Sequence, residues 1–268
     1  MNSKKSFRYT EPDWMKLTLK DDFLFYKVMR EESFCRPFLE TLLHIKIARI
    51  EYLREQKELK LHPTTKSIRM DIYLEGDGKI YNVEMQNAPK GNLPRRMRMY
   101  QSVIDADSLL KGAPYRDLKD SFVIFLCNFD PFGKGLPRYT FTHICHENSF
   151  SLDDGQTKIV YNINAFENEA DPATAALLRY LSTGTAVTDP VKAFAEKVEL
   201  FKQSHDWRKG NMKYECDLQD ARKEGEAAGL LQAAANALKQ GLSPETVSGF
   251  TGLPLSQLKE MQTGRNNR

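Results

Sequence analysis

Residues Arg69 to Gln86 read RMDIYLEGDGKIYNVEMQ, and the way this stretch folds back on itself decides the architecture around it. Two runs of period-two alternation flank Glu75-Gly76-Asp77-Gly78, a polar, glycine-bearing turn. That pattern predicts a β-hairpin. A four-residue turn would pair Leu74 with Lys79, set Asp71 opposite Asn82, and leave Glu84 one step along the diagonal. Side chains alternate faces along a strand. One face then carries Met70, Ile72, Leu74, Tyr81, Val83 and Met85, and the other carries Asp71, Asn82, Glu84 and Gln86.

Diagonal neighbours on one face lie roughly 7–8 Å apart. Carboxylates leaning together from there can share one hard cation, which takes oxygen ligands at about 2.0–2.1 Å if it is magnesium. The same pattern also fits a plain hairpin with one acidic, solvated face.

Asp71, followed after the turn by Glu84-Met85-Gln86, resembles the motif of the PD-(D/E)XK nuclease superfamily. Within that superfamily the chain is similar to the transposase group related to the recombination-promoting nucleases. Asp22-Phe23-Leu24-Phe25, the run Leu93 to Tyr100 (LPRRMRMY), Phe129-Asp130-Pro131-Phe132-Gly133 and the glycine-punctuated C-terminal tail carry the same resemblance. It extends over most of the chain. It implies an α/β fold with a restriction-endonuclease-like mixed sheet flanked by helices, and a helical C-terminal extension. It also implies a magnesium- or manganese-dependent DNA endonuclease associated with recombination or a mobile element. By the same resemblance, Asp71, Glu84 and the Met85 backbone carbonyl hold the metal, with Asp22 as a further ligand and Glu40 as its substitute. Asp22 also fits a simple helix cap. Gln86 stands where the ExK form of the motif has a lysine. An amide can orient a water but supplies no positive charge, so the departure puts turnover in doubt, although the resembled group commonly carries glutamine there. Arg69 is a candidate helper on the strand of Asp71.

The competing reading is a weakly active or inactive nuclease-fold module that binds DNA or a protein. A third reading takes RNA as substrate, and nothing in the sequence argues against it.

With 268 residues the length suits one large domain, or one domain with a helical appendage. Lys and Arg number 39 against 36 Asp and Glu, a net +3, so nucleic-acid affinity has to come from a local patch. Arg95, Arg96 and Arg98 form such a patch at the start of a helix that Pro94 opens and Gly112 ends. Guanidinium groups suit phosphate oxygens. Cys35, Cys127, Cys145 and Cys216 are scattered and form no CxxC pair, which fits a reducing cytoplasm. The N-terminal stretch has no secretory h-region, and no apolar run approaches the ~20 residues of a membrane span. No GxxxxGK[ST] loop is present, which argues against an ATP-driven motor.

In chain order the expectation is a polar arm (1–17), a nuclease-like core (18–168), a helical extension (169–220) and a short helical tail (221–268). Helices are expected from Asp21 or Asp22, after Pro37, from Pro94, and over Ala173–Leu181 and Val191–Gln203. Strands are expected within Arg49–Glu58 and at Ser121–Asn128, Tyr139–His146 and Lys158–Asn164. Lys209–Asp220 reads as a charged link. His143, Cys145 and His146 cannot converge from one strand, so they read as structural. The tail's punctuation resembles a helix-turn-helix, and a packing or homo-oligomerisation module fits it as well.

Overall fold

The computed structural model describes residues 15–52, 58–59, 68–89 and 91–263. The expected arm and the Leu61–Ser67 linker lie outside, apart from residues 15–17.

The hairpin forms, with a shorter turn than expected. Strands β4 (Ile72–Gly76) and β5 (Lys79–Gln86) pair antiparallel with Gly76 opposite Lys79, Leu74 opposite Tyr81 and Ile72 opposite Val83. Only Asp77 and Gly78 turn the chain, both with positive φ (51° and 74°). Two residues of that kind match the right-handed twist of the flanking strands, which a longer loop need not do. The register therefore moves by two residues: Tyr73, not Asp71, faces Asn82. Asp71 lies just before β4, next to Glu84.

β1 (Ile50–Tyr52), β6 (Ser121–Cys127), β7 (Arg138–Phe141) and β8 (Gln156–Asn162) complete a six-stranded sheet of order β1-β4-β5-β6-β8-β7. β5, β6 and β8 run parallel to their neighbours in this trio, while β1, β4 and β7 are antiparallel to theirs. Two short strands, β2 (Glu58–Leu59) and β3 (Ile68–Arg69), pair separately. This is the mixed α/β sheet that the sequence implied.

Helices cover both faces. On one side α1 (Asp22–Met29), α2 (Glu32–Leu43), α4 (Pro172–Thr183) and α5 (Asp189–Lys202) bury Leu24, Phe25, Phe38, Leu39, Leu178 and Leu181 against Ile72, Leu74, Val83, Ile124 and Tyr161. Asp21 caps α1 by accepting from the Leu24 amide at 2.9 Å, so the cap is Asp21 and not Asp22. α2 begins five residues before Pro37 and keeps the proline inside it. Its buried face, Phe34, Cys35, Phe38, Leu39 and Leu42, runs through the proline without a break, and tertiary burial overrides the lost backbone hydrogen bond.

On the other side α3 (Leu93–Ser108) lays Leu93, Met97, Tyr100, Val103 and Ile104 over Met70, Tyr73, Ile80, Val123 and Phe125. One expectation fails here, and one alternative is removed. Met70 belongs to this layer and not to the Ile72 layer, because the chain bends at Asp71. The polar face of the hairpin is not solvated, since Asn82, Glu84 and Gln86 are all buried.

The charged stretch from Lys209 is no separate link but part of α6 (His205–Lys239), a single helix of 35 residues. The chain divides into two compact units, one ending at Trp207 and one from Arg208. In the second, α6, α7 (Pro244–Thr251) and α8 (Leu255–Thr263) share a small core of Ala234, Leu238, Val247 and Leu258. Ser243 caps α7 and Gly252 ends it at φ 72°. No described helix is long and apolar enough to cross a membrane.

Candidate active site

Alternation along β5 turns Asn82, Glu84 and Gln86 to the face that α3 covers. Glu84 is only 4% exposed. Its Oε1 accepts from the Asp71 backbone N–H (3.0 Å) and from the Asn82 amide (2.9 Å), and its Oε2 accepts from the Tyr100 hydroxyl (3.2 Å). Asp71 returns the contact, its Oδ2 accepting from the Met85 N–H at 3.2 Å. The two carboxylates thus clasp the paired ends of β4 and β5.

The N–H and C=O of a strand residue face the same side. Gln86 accepts from the Asn128 amide across the β6 edge, and Met85 donates to Asp71 on the opposite edge. The Met85 carbonyl is therefore turned toward Asp71.

Burial, then the Asp71 charge, pushes the Glu84 carboxyl up to about 8, against the pull of Asn82, the Asp71 amide and Tyr100. Burial also holds the Tyr100 phenol well above its ordinary range, so it remains a donor. The Asp71 and Glu84 carboxylates lie side by side, and Glu84 is desolvated. Their hard oxygens and the neighbouring carbonyl fit magnesium or manganese. Among the described residues no group of three or more His, Cys, Asp or Glu side chains gathers as a metal site.

Gln86 is held at both ends of its amide. Its Nε2 donates to the Ala88 carbonyl at 2.7 Å, and its Oε1 accepts from Arg96 Nη1 at 2.5 Å. Arg96 is half-buried, with its guanidinium 5.3 Å from the Phe125 ring centroid and 5.9 Å from that of Tyr100. Position 86 lacks a charge, and Arg96 brings one to its side.

The other expected residues fall elsewhere. Arg95 and Arg98 are exposed on α3, whereas the half-buried Arg96 donates to Gln86. Asp22 accepts from Asn87 Nδ2 at 2.9 Å, which ties α1 to the end of β5, but it does not join Asp71 and Glu84 in a cluster of three. Glu40 caps the loop after α2, accepting from the Ile47 amide and Lys46. The Arg69 side chain lies outside the described residues. His143 pairs with Asp154 at 2.6 Å, while the Cys145 thiol donates to Glu147.

The sequence reading left Asn82 and Tyr100 without a role. Asn82 bridges the Ile72 carbonyl and Glu84, and its Oδ1 is buried without a partner. The signal for Asn82 was its two-residue spacing from Glu84. For Tyr100 it was the four-residue step from Arg96, which puts both on one helix face.

A family model described as PD-(D/E)XK nuclease family transposase matches residues 19–178. The chain belongs to this family. The matched span holds α1 to α3, the whole six-stranded sheet and most of α4. Membership points to a nuclease-type function and a nucleic-acid substrate, and nucleases of the PD-(D/E)XK kind generally use divalent metals. No curated protein and no solved structure matches the chain.

Proposed function

We propose that the protein is a metal-dependent DNA endonuclease, acting in the cytoplasm in recombination or on behalf of a mobile element. The observation that carries this reading is the Asp71–Glu84 clasp at the paired ends of β4 and β5, with the Gln86–Arg96 pair beside it.

Asp71, Glu84 and the Met85 carbonyl would hold magnesium or manganese. The bound ion supplies Lewis acidity, lowering the pKa of water and screening the charge of the diester. Asn82 and the Asp71 amide fix Glu84 Oε1, and Tyr100 fixes Oε2, so the carboxylate is positioned before substrate arrives. Arg96 brings a guanidinium to the place where the charged phosphorane-like transition state needs a cation. Gln86 is a positioning residue that aims Arg96. Arg98 and Arg95, exposed at the start of α3, would contact the strand backbone and set its register. RNA carries the same phosphodiester and remains an alternative substrate.

A second reading has its own observation. Both ends of the Gln86 amide are already engaged, which leaves it little capacity to orient a water. That favours a module that binds nucleic acid without cutting it. Incubation of purified protein with supercoiled plasmid and magnesium, manganese or EDTA separates the two. Nicking is expected to need metal, to vanish in Glu84→Ala, and to slow about 100-fold in Arg96→Gln, the scale of losing one transition-state donor. Cleavage that survives Glu84→Ala would remove the clasp from the chemistry. Absent cleavage with DNA binding intact selects the binding module.

A further inference from the structure

On the far side of the first turns of α3, away from Gln86, lies a cavity of about 310 Å³ between α3, the loop after β6, and the β7–β8 edge of the sheet. Its volume is at the lower end of small-ligand pockets. Phe132 and Phe141 form an aromatic wall, Met97 lines it from α3, and Arg98, Lys158 and His143 bring cations or hydrogen-bonding nitrogen to its rim.

The wall is built in advance. Asp130 accepts from the Phe132 and Gly135 amides and from the Tyr139 hydroxyl, which fixes the loop. The Phe132 ring then packs edge-on against Tyr139 (4.8 Å) and Phe141 (5.3 Å). Phe141 nevertheless stays 44% exposed, a large apolar surface left at the cavity. His143 is held by Asp154, so its ring is oriented, and Lys158 is partly buried beside the same carboxylate. Asp105, the other acid near Lys158, accepts from Gln101.

We infer that this cavity receives one unpaired base of a nucleic-acid substrate, stacked on the exposed Phe141 ring with Phe132 closing the recess at an angle to it, and with the adjoining phosphate held by Arg98 and Lys158. Flat aromatic rings beside a few cations are the chemistry that binds unstacked bases of any sequence. A paired base cannot reach such a recess, because its faces are covered in the duplex. Arg96 and Arg98 lie two residues apart on α3, one turned to the carboxylate site and the other to the cavity, so one strand can meet both. The inference rests on the nuclease reading, and it narrows the substrate to nucleic acid with a bulge, flap or single-stranded segment.

Fluorescence anisotropy in EDTA, at one fixed salt concentration, compares a blunt duplex with the same duplex carrying a single-nucleotide bulge. The wild-type protein is expected to bind the bulged duplex about tenfold tighter, toward the lower end of what one stacked base contributes. Phe141→Ala is expected to lose that preference while keeping its affinity for the blunt duplex. Phe141→Trp should restore it, with tryptophan fluorescence quenched on binding the bulge. Because Phe141 is exposed, retained blunt-duplex affinity in both variants also shows that they are folded. Equal wild-type binding to the two duplexes overturns the base pocket and leaves the nuclease reading untouched. So does a preference that survives Phe141→Ala. No binding to either duplex, together with no plasmid nicking, removes both.

Discussion

Glu84 is asked to be buried and ionised at once, and its pH behaviour should expose the conflict. Burial and the Asp71 charge raise its carboxyl from an ordinary value of 4.5 to about 8. Between those values the folded protein keeps a proton that the unfolded chain has lost. Stability without metal should therefore fall as pH rises through the window, by up to about 1.4 kcal/mol per unit, and level off above about 8. Urea unfolding in EDTA at several pH values from 5 to 8.5 checks this. Glu84→Gln, which cannot ionise and keeps a hydrogen-bonding head, should flatten the dependence and exceed the wild type in stability at pH 8. Added magnesium should stabilise the wild type at pH 8 and do little for Glu84→Gln, since binding to the folded state alone raises stability. A wild-type profile that matches the variant's across the window would mean that the carboxyl is not perturbed in the way its burial demands.

At the scale of elements, the hairpin shows what sequence can and cannot carry. Its existence and its position were legible, because alternation and turn composition are local signals. Its register was not: Glu75-Gly76-Asp77-Gly78 admits a turn of either length, and the choice falls to strand twist. Nor did the hairpin disclose that its polar face is covered. That depends on α3, whose stripe of Met97, Tyr100, Val103 and Ile104 needs a partner surface distant in the chain. The same holds for Asn82 and Tyr100, whose roles exist only once α3 lies over β5. The short turn makes its own prediction. Gly78 sits at φ 74° with open space around it, so Gly78→Ala should cost about 1–2 kcal/mol from backbone strain alone. A Cβ at Gly76 would meet the Arg49 carbonyl oxygen at 2.8 Å, so Gly76→Ala should cost more and loosen β1 from β4. Denaturant midpoints of the two variants test the order. A Gly76→Ala protein as stable as the Gly78→Ala protein would contradict the close packing of β1 on the turn.

Across the whole molecule, stability is concentrated in the unit that ends at Trp207. Its two helical layers enclose the sheet, whereas among the described residues of the unit from Arg208 the hydrophobic core cluster consists of Ala234, Leu238, Val247 and Leu258. Between these cores, every α6 residue from Ala221 to Leu230 is exposed, so this segment gains almost nothing from burial. Its helix is supported by surface pairs such as Arg222–Glu226 (2.9 Å) and Lys223–Asp220 (3.2 Å), which contribute at most a few tenths of a kcal/mol each. Against them stand Gly225 and Gly229, each costing about 1 kcal/mol relative to alanine in a helix interior. Among the described residues, local opening should therefore be easy here. Among the sites within the described residues, trypsin at low concentration should cut first after Arg222 or Lys223. Where reclosing outpaces cleavage, the rate follows the population of the open form. Replacing both glycines with alanine should then slow the cut about tenfold or more, without changing the unfolding midpoint of the sheet-containing unit. Mass spectrometry of the fragments decides the matter: earlier cuts within the described strands, or a double variant cleaved after Arg222 and Lys223 as fast as the wild type, would show that α6 is supported by something other than its own helical propensity.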